Sequence, residues 1–533
     1  MASQPEPNSP GQLQRKAFDA VAGALPFVLD WSRVTVEPGL SYTRSPIKAH
    51  DYAAGIMAAY GCVVERLGVM RGLAAQRMTL NRRRCGLLLN SGQMQFLNGY
   101  GMLMDTWPIG PDNGTYRTKD GRYITIIGLH PHLRDGLLDY FRCQNSAKAI
   151  QASAEKKDAR QIEDELAVLN LPAGIVRTAQ EWRSHPQGAA TVKRSMVDLE
   201  HSGNAHGRKL GKAKHRPLEG VRVVELANLV AGPTIGRLLA EQGAEVIKIQ
   251  PPIADLVMAL WLDTGWGKKT MLLDIKSRFG KHRLAALLAG ADVLISSQRR
   301  GALDHIGFDR ASLQALNPNL VYTSVAYCAA GTPWQGRRGF EQIAQSVSGM
   351  MDANSDGLPD PTVISVLLND YLTGYIGAIG TIAALSEREV KGGFWNVEAA
   401  LSRCATMATE FVQPREAEQY APLTMRDMME HGVDQPSPHG TFTRLAPAVA
   451  FSHTPSMLHG APGIPNSHPD TIGWTGTTGD APPEVPHYSS RLAREGGLRN
   501  LISSHGIEDR GDGGGGLSLA SRRLMEFVIA SRA

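Results

Sequence analysis

Cysteine is scarce. The 533 residues hold five, at 62, 85, 143, 328 and 404, and no two form a CxxC. So odd and scattered a set supplies neither a disulfide framework nor a thiolate zinc site, and it fits a reducing compartment. No apolar run reaches the roughly 18 residues needed to cross a bilayer, so no membrane is expected among the partners. Met1 to Gln14 are polar and proline-bearing, without a signal-peptide core. The chain ends Ser531-Arg532-Ala533, which lacks the leucine of a peroxisomal address. The cytoplasm is the expected location and the peroxisome the alternative. Charge is not concentrated either: 56 Lys and Arg against 51 Asp and Glu, net +5. Spread along a long chain, that balance does not call for nucleic acid. It suits an anionic, phosphorylated small molecule as well as it suits a solvated surface. No GxGxxG is present, so a dinucleotide is not assumed.

What the sequence does contain is strand and helix in alternation. Val221-Arg222-Val223-Val224-Glu225-Leu226 reads as a buried strand, Val230 to Thr234 as a turn, and Ile235 to Gln242 as a helix. Ala244 to Ile249 is a second strand. The pattern repeats: helix over 283–288, strand over 291–295, short helix at 313–316, strand over 320–325. Such alternation builds a parallel sheet, and residues 216–330 read as doubly wound. From Asp370 onward, Gly374, Gly377 and Gly380 line one long helix. Asp120-Gly121 is the turn of a hairpin within 115–126.

The segment around Asp370 has an echo. His50-Asp51-Tyr52-Ala53-Ala54-Gly55 parallels Asn369-Asp370-Tyr371-Leu372-Thr373-Gly374, 319 residues later, and the ungapped match runs to Cys85 and Cys404. Seven pairs are identical, among them Asp51/Asp370, Tyr52/Tyr371, Gly55/Gly374 and Arg84/Arg403. A partial internal duplication is expected. The fold class expected is therefore α/β: a Rossmann-like doubly wound parallel sheet, a smaller α+β domain and that duplication. The boundaries drawn are a disordered N-terminus over 1–24, a truncated first copy with its Asp-bearing helix over 25–109, and the α+β domain over 110–199. A polar linker follows over 200–215, then the sheet and second Asp-bearing helix over 216–410. A C-terminal segment over 411–474 precedes a mostly disordered tail, 475–533, with its Gly513-Gly514-Gly515-Gly516 run.

Five ordered blocks resemble one known family. They are Pro217-Leu218-x-Gly220 with Ala231-Gly232-Pro233 and Gly243-Ala244-Glu245-Val246-Ile247-Lys248; Gly267-Lys268-Lys269 with Leu273-Asp274; Ala291 to Ile295 with Arg299 and Gly301; Asn317-Pro318-x-Leu320-Val321-Tyr322; and Asp370-Tyr371-x-Thr373-Gly374 with Arg388. They are similar to the family III CoA-transferases of the CaiB/BaiF type, in a long duplicated variant. The resemblance implies CoA transfer between an acyl-CoA and a carboxylic acid, through an aspartyl acyl anhydride and an aspartyl-CoA thioester. It implies a CoA thioester as substrate, no bound cofactor and no metal.

On that resemblance Asp370 is the nucleophile and Glu341 its catalytic neighbour. Ala231, Gly232 and Pro233 face the CoA, Arg299 contacts its nucleotide, and Lys248, Lys268 and Lys269 meet its phosphates. Each has a plainer alternative: helix cap for Asp370, surface carboxylate for Glu341, tight turn for 231–233, solvated charge for the lysines. Asp51 is the repeat equivalent of Asp370, either active or a relic cap. The family's racemases carry a histidine near Glu341, and residues 337–348 hold none. That favours transfer over racemisation or isomerisation; a CoA-binding homologue without turnover is the third reading. Two departures touch the site: Tyr327 to Pro333 is poorer in glycine than the family's covering loop, and Ser297-Gln298-Arg299-Arg300-Gly301 replaces Asn-Phe-Arg-Pro-Gly. Normal-length members are interlocked homodimers, so either a homodimer or a pseudo-dimer within one chain is expected.

Overall fold

The computed structural model describes residues 10–101, 110–206, 209–252, 256–356, 358–415, 419–437, 440–458, 460–462 and 473–475. The tail expected to be disordered lies outside the described residues from 476 on, as do residues 1–9.

The expected α/β fold with a parallel sheet is present. Seven strands form the main sheet: β1 (Val197–Ser202), β2 (Arg222–Leu226), β3 (Glu245–Gln250), β4 (Lys268–Leu272), β5 (Val293–Ser296), β6 (Val321–Ala326) and β7 (Phe394–Ala400). Their order is β4-β3-β2-β5-β6-β7-β1. All neighbours run parallel except β1, which pairs antiparallel with β7. Val223, Val224, Ile247, Val293, Leu294 and Ile295 are buried throughout, as strands covered on both faces require. The chain winds outward from β2 to β3 and β4, then returns to β5 on the other side. Carboxyl ends of strands part there, and a crevice opens.

Helices cover the sheet. α1 (Ala49–Met70) and the helices α2 (Ala231–Glu241), α3 (Glu341–Ser348), α4 (Leu368–Lys391) and α5 (Leu401–Ala408) are those that matter for the site. α1 and α4 start at equivalent positions of the sequence echo, and their N-caps Lys48 and Leu367 share a backbone shape, φ −76°, ψ 64° and φ −85°, ψ 59°. The two helices pack together, with Tyr60 and Tyr375 rings 5.6 Å apart and edge-on. A three-stranded antiparallel sheet, Asn113–Arg117, Tyr123–Ile127 and Ala173–Ile175, has its own core of Ile124, Ile126, Leu137, Ile150 and Ile162. After residue 411 the chain returns to its N-terminal part: Val449–Phe451 pairs with Met78–Asn81, and Gly440–Leu445 with Gln95–Leu97.

Three expectations are corrected, and one helix calls for a remark. Residues 10–24 are not disordered: Pro10–Ala22 is a helix that buries Leu13, Ala17, Phe18 and Val21, an apolar stripe at helical spacing, against α1. The linker does not begin at 200, because β1 runs to Ser202; as an edge strand it is polar on one side and reads like loop. Val230 to Thr234 is not a free turn. Ala231, Gly232 and Pro233 are the first turn of α2, where proline's missing N–H is no loss. Finally, α1 is apolar enough on average to cross a membrane, although no uninterrupted run is; 78% of its most apolar window is buried inside the protein, as in a core helix.

Candidate active site

A cleft of about 930 Å³ opens beyond the carboxyl ends of β2, β5 and β6. Asn228 to Gly232 form one wall, Ser297 to Ala302 another, and Asp370 lies in its lining. Arg337 to Phe340 and, from the α+β domain, His130 and His132 complete the rim.

Asp370 is the third residue of α4 and is half-buried. No cation pairs with its carboxylate among the described residues. Burial pushes that carboxyl above the usual carboxylate range. The helix start has an unusual support. Leu367 at the N-cap offers no side-chain acceptor. Glu341 supplies one from α3: the Asp370 N–H donates to Glu341 Oε2 at 2.7 Å, and Asn369 Nδ2 donates to Oε1 at 2.8 Å. Gln345 Nε2 donates to the same Oε1 at 2.8 Å. A carboxylate at a helix N-terminus contributes about 0.3–2 kcal/mol. Glu341 is 1% exposed and is absent from the cleft lining. It therefore holds the Asp370 backbone and does not itself face the cleft. Burial, and then the neighbouring Asp370, push its carboxyl upward.

α2 packs against α4 beside the cleft, Gly374 facing Thr234 and Gly377 facing Ile235. A Cβ on Gly374 would lie 2.6 Å from Thr234 Cβ and 2.8 Å from the Ala231 carbonyl, so only glycine allows this approach. The contact brings Ala231 and Gly232 into the cleft beside Asp370; Pro233 is not in the lining. Arg299 is exposed at the rim and has no carboxylate partner among the described residues.

The lysines are elsewhere. Lys248 and Lys268 do not line this cleft. Both are buried under α2 and bind Glu225, Nζ to Oε1 at 2.5 Å and Nζ to Oε2 at 2.6 Å. Lys269 pairs with Glu245 at 2.5 Å. The expected phosphate contacts are corrected for Lys248 and Lys268, because a buried, paired ammonium has no free face for a phosphate; Lys269 is part-exposed but does not line the cleft.

Asp51 has the helix position of Asp370 and none of its surroundings. It is 1% exposed. Arg82 grips it bidentately, Nε to Oδ1 at 2.8 Å and Nη2 to Oδ2 at 2.6 Å, and Gln14 Nε2 donates to Oδ1 at 2.9 Å. A carboxylate so engaged has no lone pair facing a substrate.

Sequence reasoning missed several lining residues. Arg338 has a buried Nε without a hydrogen-bond partner and lies 3.1 Å, Nη1 to Nε2, from His132. Burial first, then Arg299, lower its guanidinium pKa. The signal was the Arg337-Arg338 pair just before Gly339-Phe340-Glu341. His130 and His132 stack, rings 5.9 Å apart, and come from some 200 residues upstream in another domain. Histidine is thus missing from 337–348 but not from the cleft. Leu229, with φ +62°, is a strained non-glycine residue in the cleft wall.

Comparison with known proteins adds the following. The model of CoA-transferase family III matches residues 218–454. The acetyl-coenzyme A transferase nodX of Hypoxylon pulicicidum is 28% identical over 54% of this chain and 52% of its own length. The succinate–glutarate CoA-transferase of Agrobacterium fabrum is 32% identical over 35% of this chain and 51% of its own. The chain spans about half the length of these curated relatives. A CAIB/BAIF family protein from Brucella suis aligns over 43% of this chain and 65% of its own, at 27% identity and a TM-score of 0.35.

Proposed function

We propose, for a chain whose residues 218–454 belong to CoA-transferase family III, that it moves coenzyme A from an acyl-CoA to a carboxylic acid with Asp370 as nucleophile. The Asp370 carboxylate attacks the thioester carbonyl, forming a mixed anhydride and releasing CoA thiolate. The thiolate attacks the aspartyl carbonyl, freeing the donor acid and leaving an aspartyl-CoA thioester. The acceptor carboxylate then attacks that thioester, and the returning thiolate carries off the new acyl group. Every step is carboxylate and thiolate chemistry. The observation that carries this reading is Asp370 itself: half-buried, unpaired, and lining a cleft walled by the α2 N-terminus and Arg299. The Rossmann-like order of the sheet supports it, since ligands of such sheets bind where the strand order reverses.

Incubation with acetyl-CoA or succinyl-CoA, then hydroxylamine, tests the mechanism. Mass analysis should find the hydroxamate on Asp370. A fully active Asp370→Asn enzyme would sink it.

A second reading, racemisation or isomerisation of an α-methylacyl-CoA, is favoured by His130 and His132 in the cleft, which could supply the base that 337–348 lacks. Exchange of the α-proton for deuterium without CoA transfer would select it. We further read 50–85 as a degenerate copy of 369–404, on the strength of the matched helix starts and cap geometry. Its α1 then stands in for part of a second subunit, and sizing of the purified chain should report a monomer.

A further inference from the structure

Beneath the cleft lies an ionic cluster that the chemistry above does not use. Glu225, Lys248 and Lys268 are 0%, 2% and 5% exposed. Each Glu225 oxygen takes one lysine, and each lysine makes a second bond. Lys248 Nζ donates to the Ala227 carbonyl at 2.6 Å; Lys268 Nζ donates to the Pro233 carbonyl at 2.7 Å. Ala227 and Pro233 are the two ends of one segment. Between them, Asn228 to Gly232 face the cleft, and Leu229 sits at φ +62°. A non-glycine residue persists in that region only where its surroundings enforce it. Gly236 closes the underside: a Cβ there would lie 1.9 Å from Glu225 Oε2.

We propose that Glu225, Lys248 and Lys268 are positioning residues, a buried clamp that fixes segment 227–233 at both ends and so holds the strained wall and the first-turn N–H groups of α2 in register with an acyl-CoA. Those first-turn N–H groups have no partner within the helix and are free to meet developing negative charge. The catalytic part of this rests on the cleft being the CoA thioester site; the clamp itself does not. Burial pushes the Lys268 ammonium down to about 7. A neutral Lys268 amine still donates to the Pro233 carbonyl.

Two variants test it: Lys248→Met, which frees the Ala227 end, and Lys268→Met, which frees the Pro233 end; each leaves Glu225 paired with the other lysine and so avoids a buried orphan charge, and the second serves if the first fails to fold. Without ligand, hydrogen exchange should quicken at least about tenfold at the Asn228 and Thr234 amides, which bond to Ser297 Oγ and the Val230 carbonyl, while α4 keeps its protection. With succinyl-CoA, kcat should fall at least about tenfold with KM changed less than about threefold. Unchanged exchange at both amides in both variants overturns the clamp. Loosened amides with unchanged kcat overturn its catalytic role. Wild-type protein that binds neither free CoA nor succinyl-CoA refutes the cleft assignment instead, and the exchange data then judge the clamp alone.

Discussion

Asp51 and Asp370 are each the third residue of a long buried helix, preceded by caps of the same backbone shape and followed by Tyr-x-x-Gly. The chain nevertheless treats them oppositely. Asp51 accepts from Arg82 and Gln14 and is sealed; Asp370 is left without a cation and half-open to a cleft. The difference is made by neighbours. At the same offset of 319 residues, Leu401 stands where Arg82 would be, so Asp370 has no such partner. Glu341 then supports Asp370 from the backbone side, leaving its side chain uncommitted. Helix position alone does not make a nucleophile.

The largest effect should come from Asp370→Asn, an isosteric change. Transfer should fall roughly 10⁴-fold or more, as for other covalent nucleophiles, with no loss of unfolding free energy, since a group disfavoured as an anion has been removed. Asp51→Asn should show the reverse. Arg82 would be left with its counter-charge gone, at a cost of about 3–5 kcal/mol, while kcat per folded molecule holds. Urea unfolding and steady-state rates on both variants decide it. An Asp51 variant that is stable but inactive would break the comparison.

Glu341 sharpens the contrast. Glu341→Ala removes the acceptor for the Asp370 N–H, and a displaced nucleophile should lower kcat by about 10- to 100-fold. Glu341→Gln keeps an acceptor and should recover most of the rate.

How much of this was legible in the sequence depended on range. Asp370 was visible because its motif is local and follows a readable set of strands. Lys248 was misread because its meaning lies across a ladder: it is directly opposite Glu225, a register no single strand discloses. The available hint was a charge inside each of two otherwise apolar runs, Val223–Leu226 and Val246–Ile249, which is costly unless the two meet. His130 and His132 gave no hint, because the docking of one domain on another leaves no local spacing. Pro10–Ala22 was hidden by its polar face, although its apolar stripe was there to be read.

Acidity separates the aspartates further. Burial raises Asp370, and burial with Asp370 raises Glu341. For carboxyls raised on folding, the stability they contribute is full below their ordinary values near 4 and is lost as pH rises through the raised ones. The rate should move the other way: kcat rises over that window as Asp370 ionises. Burial alone raises Asp370, so Glu341→Gln should leave the acid limb in place. A limb near 4 in the wild type would refute the buried carboxyl; a limb that Glu341→Gln moves would show that Glu341, and not burial alone, sets it.

The smallest effects should come from the paired glycines. A Cβ at Gly55 would lie 2.1 Å from the Gln14 carbonyl and 2.5 Å from Ala17 Cβ; at Gly374 it would meet Thr234 and Ala231. Both alanine variants overpack a helix contact, and each should destabilise by about 1–3 kcal/mol. Only Gly374→Ala pushes on the cleft wall. It should therefore lower kcat several-fold beyond what its folded fraction explains, while Gly55→Ala should change stability alone. Equal kinetic losses in the two would mean that the first copy shapes the site as directly as the second, and the division of labour between the two aspartate helices would have to be redrawn.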